Sequence, residues 1–449
     1  MSSKNYSQLI ANYVSQSNSS DLPSHVVHEA KRSLLNYFAV ALASGQDETI
    51  SKAVNVFRQF SARETSTIVA RNQKIDMLNA AALNAMAANV FDFDDTHIPT
   101  IIHPTAPVAA ALLAFSEQQK VSGREFLHAL ILGMEVECRI GNAVSPFHYS
   151  KGWHITSTCG VFGSAMAIGK LLSLSAQQLN WALGSASAQA SGLVETLGTM
   201  SKSMSVGNAA RNGILSALLA SNDFNGPDRP LDGERGFLKV FGENPNFDCL
   251  TDDLGSKWEV LNNTYKPFPC GVVLNPVIQA CLELQAQHND LWSDPQVIEF
   301  IELKGNPLLR QRTDRPNVKT GRESQVSAQH AVGVCLLRGK AGLQEFSDEA
   351  VNDVSIRSIG EKLRFTDDAS MSVDAVVVSI KCRNKSTLVH TIDHAKGSLD
   401  DPLADMDLEQ KLYTLSAYGK PGFEPQMLIN EIWSIEQMED VGKLMRLVA

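Results

Sequence analysis

The sequence predicts a mainly α-helical protein, with a large all-helical domain built from both chain ends (1–264 and 396–449) and a smaller α+β domain inserted at 265–395. Three observations carry this expectation. Apolar residues recur at helical spacing through roughly the first 260 positions, with almost no convincing strand pattern among them. Near Pro267 the texture changes, and β-rich runs such as the one at 297–303 follow. After Ala404 helical spacing returns, with Leu408, Leu412 and Leu415.

Taken in order, Ser20, Asp21 and Pro23 are start signals for a helix over about 22–44, where Val26, Val27, Ala30, Leu34, Leu35, Phe38 and Ala39 repeat at helical spacing. Segments 77–90 and 104–118 read as Ala-rich helices, and another runs over 125–142 after Ser122-Gly123. Helices at 159–172, 176–197 and 206–220 follow, dense in Ala, Ser and Gly, which implies close approach of helix to helix. Strands are expected in the insert at 297–303, 373–382 and 387–392. Arg383-Asn384 joins the last two as a hairpin, and helices at 324–337 and 348–360 lie between the strands. A helix over 427–445 completes the chain.

Composition bounds the function. The chain has 449 residues, 44% hydrophobic and 20% charged, which is ordinary globular composition and enough for two domains. A net charge of −10 disfavours nucleic acid and anionic membrane surfaces as partners. An anionic substrate would therefore need a local positive pocket. Cys138, Cys159, Cys249, Cys270, Cys281, Cys335 and Cys382 are scattered without a CxxC pair, which disfavours zinc-ribbon and iron–sulfur readings and fits a reducing cytosol. Met1-Ser2-Ser3-Lys4 carries no signal-peptide pattern. The apolar run at 101–115 is broken by His103, Pro104, Thr105 and Pro107, too short and polar to span a bilayer. A soluble cytoplasmic protein is expected.

Candidate chemistry concentrates in Asp92-Phe93-Asp94-Asp95-Thr96-His97 and His103-Pro104, ionisable groups set between apolar runs. Pro104 suits a first helical position, and a helix N-terminus disfavours imidazolium, so a neutral His103 there could act as acid or base near pH 7. A histidine that merely caps or packs fits the same local sequence. Asp92 is the best candidate to orient a base, with Asp94 and Asp95 holding loop geometry. Alternatively the three aspartates bind magnesium, as in terpene synthases of all-helical fold. That reading calls for a second acidic motif on another helix, and no convincing one is present. Gly152-Trp153-His154 adds a further imidazole. Lys202 sits among Gly198, Thr199, Met200 and Ser201, just before a helix, and Lys266 lies in a Pro-rich aromatic loop. A surface lysine is the ordinary reading; small apolar neighbours favour close approach to a ligand, where two lysines could neutralise carboxylates. No GxxxxGK[ST] loop, no strand followed by GxGxxG and no GxSxG elbow is present, which lowers the case for nucleotide use and serine hydrolysis.

In order along the chain, Asp92-Phe93-Asp94-Asp95-Thr96-His97, His103-Pro104, Gly152-Trp153-His154-Ile155-Thr156, Gln189-Ala190-Ser191, Gly198-Thr199-Met200-Ser201-Lys202 and Lys266-Pro267-Phe268-Pro269-Cys270 resemble the MmgE/PrpD family. Gly233-Glu234-Arg235-Gly236-Phe237 and Ala395-Lys396-Gly397-Ser398 extend the likeness over nearly the whole chain. The family includes 2-methylcitrate dehydratase, cis-aconitate decarboxylase and iminodisuccinate epimerase. The resemblance implies a homodimer, a helical domain, a smaller α+β lid domain and a site without cofactor or metal. It implies that His103, Asp92, His154 and Lys202 serve catalysis, His103 as the main proton-transfer residue, while Thr96, Lys266 and His330 contact substrate. Asn275 stands where many relatives have a histidine, Ser205 and Asn208 where His and Arg are frequent, and His330 where Tyr is common. The expected reaction is proton abstraction α to a carboxylate of a small di- or tricarboxylate, first as dehydration of a 2-methylcitrate-like hydroxy acid. Decarboxylation of cis-aconitate and epimerisation of an amino-dicarboxylate such as iminodisuccinate are the alternatives, with a non-catalytic acid-binding relative a further one.

Overall fold

The computed structural model describes residues 4–292, 294–383 and 385–449. Asn384 of the expected hairpin turn lies outside these residues, as do Met1, Ser2 and Ser3. The fold is mainly α-helical and divides into two compact units: 1–90, 94–263 and 404–449 form unit one, and 91–93 with 264–403 form unit two.

Unit one is a helical bundle. Ser24–Ala43 is buried almost continuously from Arg32 onward, and Thr105–Ser116 is buried at every position. Gly123–Val144 starts at a capping box in which Ser122 and Glu125 satisfy each other's backbone donors. It packs on Ile155–Leu171, which in turn packs on Met200–Ser221. Small residues set these distances. A Cβ on Gly163 would lie 2.8 Å from the Gly133 carbonyl, and one on Gly213 would lie 2.3 Å from the Ser164 Cβ. The Ala/Ser/Gly content of these segments is thus a packing requirement.

Several helix boundaries differ from expectation: the helix placed at 159–172 starts at Ile155, and those at 324–337 and 348–360 are each split in two. The helix begun at Ala176 ends at Ser187 instead of near 197, and Gly192, five residues on, adopts φ +133, a conformation closed to other residues. The next helix begins at Met200, so Lys202 lies in its first turn and not before it. Near the C-terminus, 427–445 is not one helix but Gln426–Trp433, a short 3₁₀ turn and Gly442–Leu447. The first 260 residues do contain short strands, Ser66–Ile68 paired antiparallel with Gln73–Ile75.

The Asp405–Gly419 helix closes the bundle against Ser24–Ala43. Lys411 Nζ donates to Asn36 Oδ1 at 2.8 Å, Arg32 pairs with Asp405, and a Cβ on Gly419 would lie 2.1 Å from the Leu42 carbonyl.

Glu137 is wholly buried on the Gly123–Val144 helix, and neither carboxyl oxygen has a hydrogen-bond partner among the described residues. Gly160 and Gly163 make room for it, since their Cβ atoms would sit 3.2 and 2.9 Å from Glu137 Oε2. Burial first, and then the nearby Asp95 carboxyl, push its pKa well above the ordinary 4.5. A carboxyl whose folded pKa is raised gives its full stability below the unfolded pKa and loses it as pH rises toward the folded value. Glu137→Gln removes that titration. The variant is therefore expected to gain stability relative to wild type as pH rises above the ordinary carboxyl value of 4.5, by up to ~1.4 kcal/mol per pH unit. Parallel stability–pH curves for the two proteins would rule the idea out.

Unit two is an α+β unit. Its four-stranded sheet has the order Leu363–Asp367, Ile298–Gly305, Val376–Cys382, Leu388–Ile392. The first pair is parallel (Ile301↔Leu363) and the others antiparallel (Ile301↔Ile380, Val378↔His390). In the Val376–Cys382 strand, Val376, Val378, Ile380 and Cys382 are buried and the alternate residues half-buried, as a one-sided sheet requires. Asn275–Gln287 packs on that strand and on Ala328–Arg338. The strand at Leu363–Asp367 was not expected. It is short and half-exposed, a sheet edge that alternation does not reveal. No helix of the described residues is long and apolar enough to cross a membrane.

Candidate active site

His103 lies in the turn just before the Thr105–Ser116 helix, with Pro104 at its cap. Its Nδ1 is 2.6 Å from the Asp95 carbonyl oxygen, 3.3 Å from Thr96 Oγ1 and 3.7 Å from Asp94 Oδ1. A carbonyl only accepts, so the network assigns a proton to Nδ1, and in the neutral ring the lone pair is then on Nε2. Asp94 is itself held by Asn89 Nδ2 at 2.7 Å. The Asp95 side chain accepts from the Thr105 hydroxyl and from Asn263 Nδ2 at 2.7 Å. Burial raises the Asp95 pKa to about 6 against these stabilising bonds. Asp94 and Asp95 thus hold the loop that presents His103, and Thr96 stands beside the imidazole.

His97 serves a different purpose. It is fully buried, with Nε2 3.0 Å from Glu259 Oε2 and Nδ1 2.7 Å from Thr100 Oγ1. Burial lowers its pKa, and it ties the residues before His103 to the Glu259 turn as a neutral donor.

His154 caps the Ile155–Leu171 helix. Its backbone N–H donates to the Gly192 carbonyl at 3.1 Å, and its Nδ1 is 2.6 Å from Ser157 Oγ. Two residues on, the Thr156 hydroxyl accepts from the His103 backbone N–H at 3.1 Å. Lys202, 8% exposed, occupies the first turn of Met200–Ser221. Its carbonyl accepts from Ser205 Oγ at 2.8 Å, and Ser157 Oγ lies 3.0 Å from Ser205 Oγ. The starts of the helices at Thr105, Ile155 and Met200 therefore meet, and they bring His103, His154 and Lys202 with them. Helix N-termini carry partial positive charge and exposed N–H groups, so this corner favours anions and neutral imidazoles within a chain of net charge −10.

In unit two, Lys266 is 2% exposed. Its Nζ donates to the Asp92 carbonyl at 2.9 Å and lies 3.3 Å from Asp92 Oδ1. Asp92, expected to orient a base, is an ion-pair partner of Lys266 and adopts φ +52. Gly397, at φ +86, lets the backbone pass Tyr265, because a Cβ there would lie 2.5 Å from the Tyr265 carbonyl. His330 is buried against Phe346, and its Nε2 is 2.8 Å from the Glu345 carbonyl. Burial lowers its pKa, so it is a neutral imidazole whose Nδ1 can accept from a hydroxyl but offers no charge to a carboxylate. Asn275 starts the Asn275–Gln287 helix, with its Oδ1 3.4 Å from Cys270 Sγ.

A cavity of about 360 Å³ lies elsewhere in unit one, lined by His128 and Lys170 among others. Lys170 is at the far end of the His154 helix, about 24 Å along the axis from His154 at 1.5 Å per residue. Its ammonium is satisfied by the carbonyls of Val14, Ser15 and Ser17. Burial holds His128 at about 4, which makes this a poor site for acids.

Residues 8–250 match the MmgE/PrpD N-terminal domain and residues 268–435 the MmgE/PrpD C-terminal domain. The chain belongs to the MmgE/PrpD family. This MmgE/PrpD enzyme is 26% identical to the cis-aconitate decarboxylase-like protein oryM of Aspergillus oryzae, over 98% of its own length and 96% of that protein's. It is 24% identical to cis-aconitate decarboxylase of Aspergillus terreus (98% and 95% covered) and 26% identical to that of Mus musculus (94% and 89%). Sequence reasoning named the MmgE/PrpD imidazoles and lysines but missed their supports, Thr156, Ser157 and the Asp95 carbonyl. For Ser157 the available signal was its spacing of three from His154 at a helix start.

Proposed function

We propose that the protein is a lyase acting on a small di- or tricarboxylate through proton transfer at the carbon α to a carboxylate. His103 and His154 are its acid–base pair, and Lys202 and Lys266 its carboxylate anchors. The observation that carries this reading is the meeting of three helix N-termini, which supplies positive potential where two imidazoles are held. In dehydration, one imidazole takes the C–H proton, and the other protonates the departing hydroxyl so that water leaves as the double bond forms. That reaction uses both imidazoles, and a 2-methylcitrate-like hydroxy acid is its substrate.

A second reading is favoured by the names of the relatives: decarboxylation of cis-aconitate. There the C–C bond to one carboxylate breaks, CO₂ departs, and the resulting carbanion takes a proton from a single imidazole. Neither reading routes a step through a metal.

Proton NMR in D₂O with citrate, 2-methylcitrate, cis-aconitate and iminodisuccinate, with and without a strong chelator, tests both. The expected result is conversion of one acid, or deuterium exchange next to a carboxylate, that survives chelation. Loss of water or of CO₂ from the converted acid separates the two reactions. If no acid is converted or exchanged, the lyase reading is wrong; if chelation abolishes turnover, the metal-dependent alternative replaces it.

A further inference from the structure

The hydroxyls of Ser157 and Ser205 form a directed chain. Ser205 Oγ donates to the Lys202 carbonyl at 2.8 Å, an oxygen that can only accept. Having given its proton there, Ser205 can only accept from Ser157 Oγ at 3.0 Å. Ser157 also reaches the His154 carbonyl at 3.0 Å. The Ser157 proton thus has two acceptors besides the ring, and with the proton on either of them the hydroxyl faces His154 Nδ1, 2.6 Å away, as an acceptor. Ser205 Oγ stands 3.4 Å from the same nitrogen, a reserve too long to replace Ser157. Gly192 packs over the chain so closely that a Cβ on it would lie 2.3 Å from Ser157 Oγ and 3.2 Å from Ser205 Cβ.

We propose that Ser157 and Ser205 are positioning residues that hold neutral His154 in its Nδ1–H tautomer, present Nε2 as its working nitrogen, and lock that imidazole to the helical turn bearing Lys202. Serine at 205 stands where the resemblance places a histidine frequently. The orientation resembles that of His103, whose Nδ1 is fixed by the Asp95 carbonyl. Both imidazoles thereby offer Nε2, and whichever acts as the acid in dehydration must first take up a second proton there. The kinetic part of this inference rests on the lyase reading above; the tautomer does not.

The test is ¹⁵N–¹H correlation of ¹⁵N-histidine-labelled, substrate-free full-length protein at a pH where His154 is neutral, with His154→Gln used to assign the signal. Wild type is expected to show Nδ1 protonated and Nε2 bearing the lone pair. Ser157→Ala removes the acceptor and should move His154 toward the other tautomer or a mixture. Ser205→Ala should shift the balance the same way but less, because it frees the Ser157 proton to turn toward Nδ1. A supporting hydrogen bond between neutral groups is worth roughly 2–10-fold. Turnover in Ser157→Ala should therefore fall by about that factor with little change in KM, and the limb of the kcat/KM–pH profile belonging to His154 should move. An Nε2–H tautomer in wild type, or an unmoved His154 signal in both serine variants, overturns the proposal. A shifted tautomer in a protein that turns over none of the acids would instead uphold the positioning role and sink the lyase reading.

Discussion

His103→Ala is expected to lower turnover by about 10²–10⁴-fold, the usual contribution of a positioned acid–base group. The imidazole sits one residue before the cap of a fully buried helix. Its Nδ1 is fixed by the Asp95 carbonyl at 2.6 Å, and the loop behind it is anchored by Asp94 to Asn89 and by Asp95 to Thr105 and Asn263. These anchors run through side chains and backbone that the substitution leaves in place, so the variant should fold and still bind the acid. The loss should fall on kcat, with KM changed by no more than a few-fold. Steady-state kinetics on the best acid from the substrate panel measures this, and a loss under tenfold would remove His103 from proton transfer.

Arg139→Ala should cost about 3–5 kcal/mol of stability, the range for breaking a buried ion pair by removing one partner. Arg139 is 1% exposed. Its guanidinium donates to Glu135 and to the carbonyls of Cys249, Asp252 and Lys257. Glu135 in turn accepts from the Glu259 backbone N–H at 2.7 Å. Burial raises the Glu135 pKa to about 7 despite the arginine, so removing that cation leaves a carboxyl in a dry site together with three carbonyls short of a donor. The paired substitution Arg139→Met with Glu135→Leu should be less damaging than Arg139→Ala alone, because no charge remains to be buried. Chemical denaturation of the full-length variants decides it. A single-variant loss below about 1 kcal/mol, or a double variant worse than the single, would show that the network does not hold the 248–262 segment in the way its geometry requires.

Much of this was legible in the chain. Apolar spacing located the helix near 24–43, and alanine-rich composition those near 77–89 and 105–116, to within a residue or two. His103-Pro104 was readable because proline and the helix N-terminus are local signals. Ser187 and Met200 were not readable as helix ends. The Ala/Ser/Gly composition around them gives little amphipathic contrast, and the segment between them packs through Gly192 against Ser157, a contact between segments distant in sequence. The assignment of Phe91–Phe93 to unit two was equally hidden, since a three-residue excursion has no periodicity. Nothing local in the sequence pairs Asp92 with Lys266 either. Carbonyl acceptors such as that of Asp95 carry no sequence signature at all. The tautomers of both histidines therefore had to come from geometry.

The contact between Ser24–Ala43 and Asp405–Gly419 has a bearing on biosynthesis. The surface of the earlier helix that receives the later one is made first, yet its covering partner emerges only after 264–403 has been made. At about 5–20 residues per second, those ~140 residues hold a nascent bundle with an uncovered greasy seam for roughly 7–30 s. Unit two, nearly contiguous in sequence, can collapse during that interval. The ribosome thus finishes the inserted piece before the scaffold that hosts it, and holdase chaperones have a defined window in which to guard the seam.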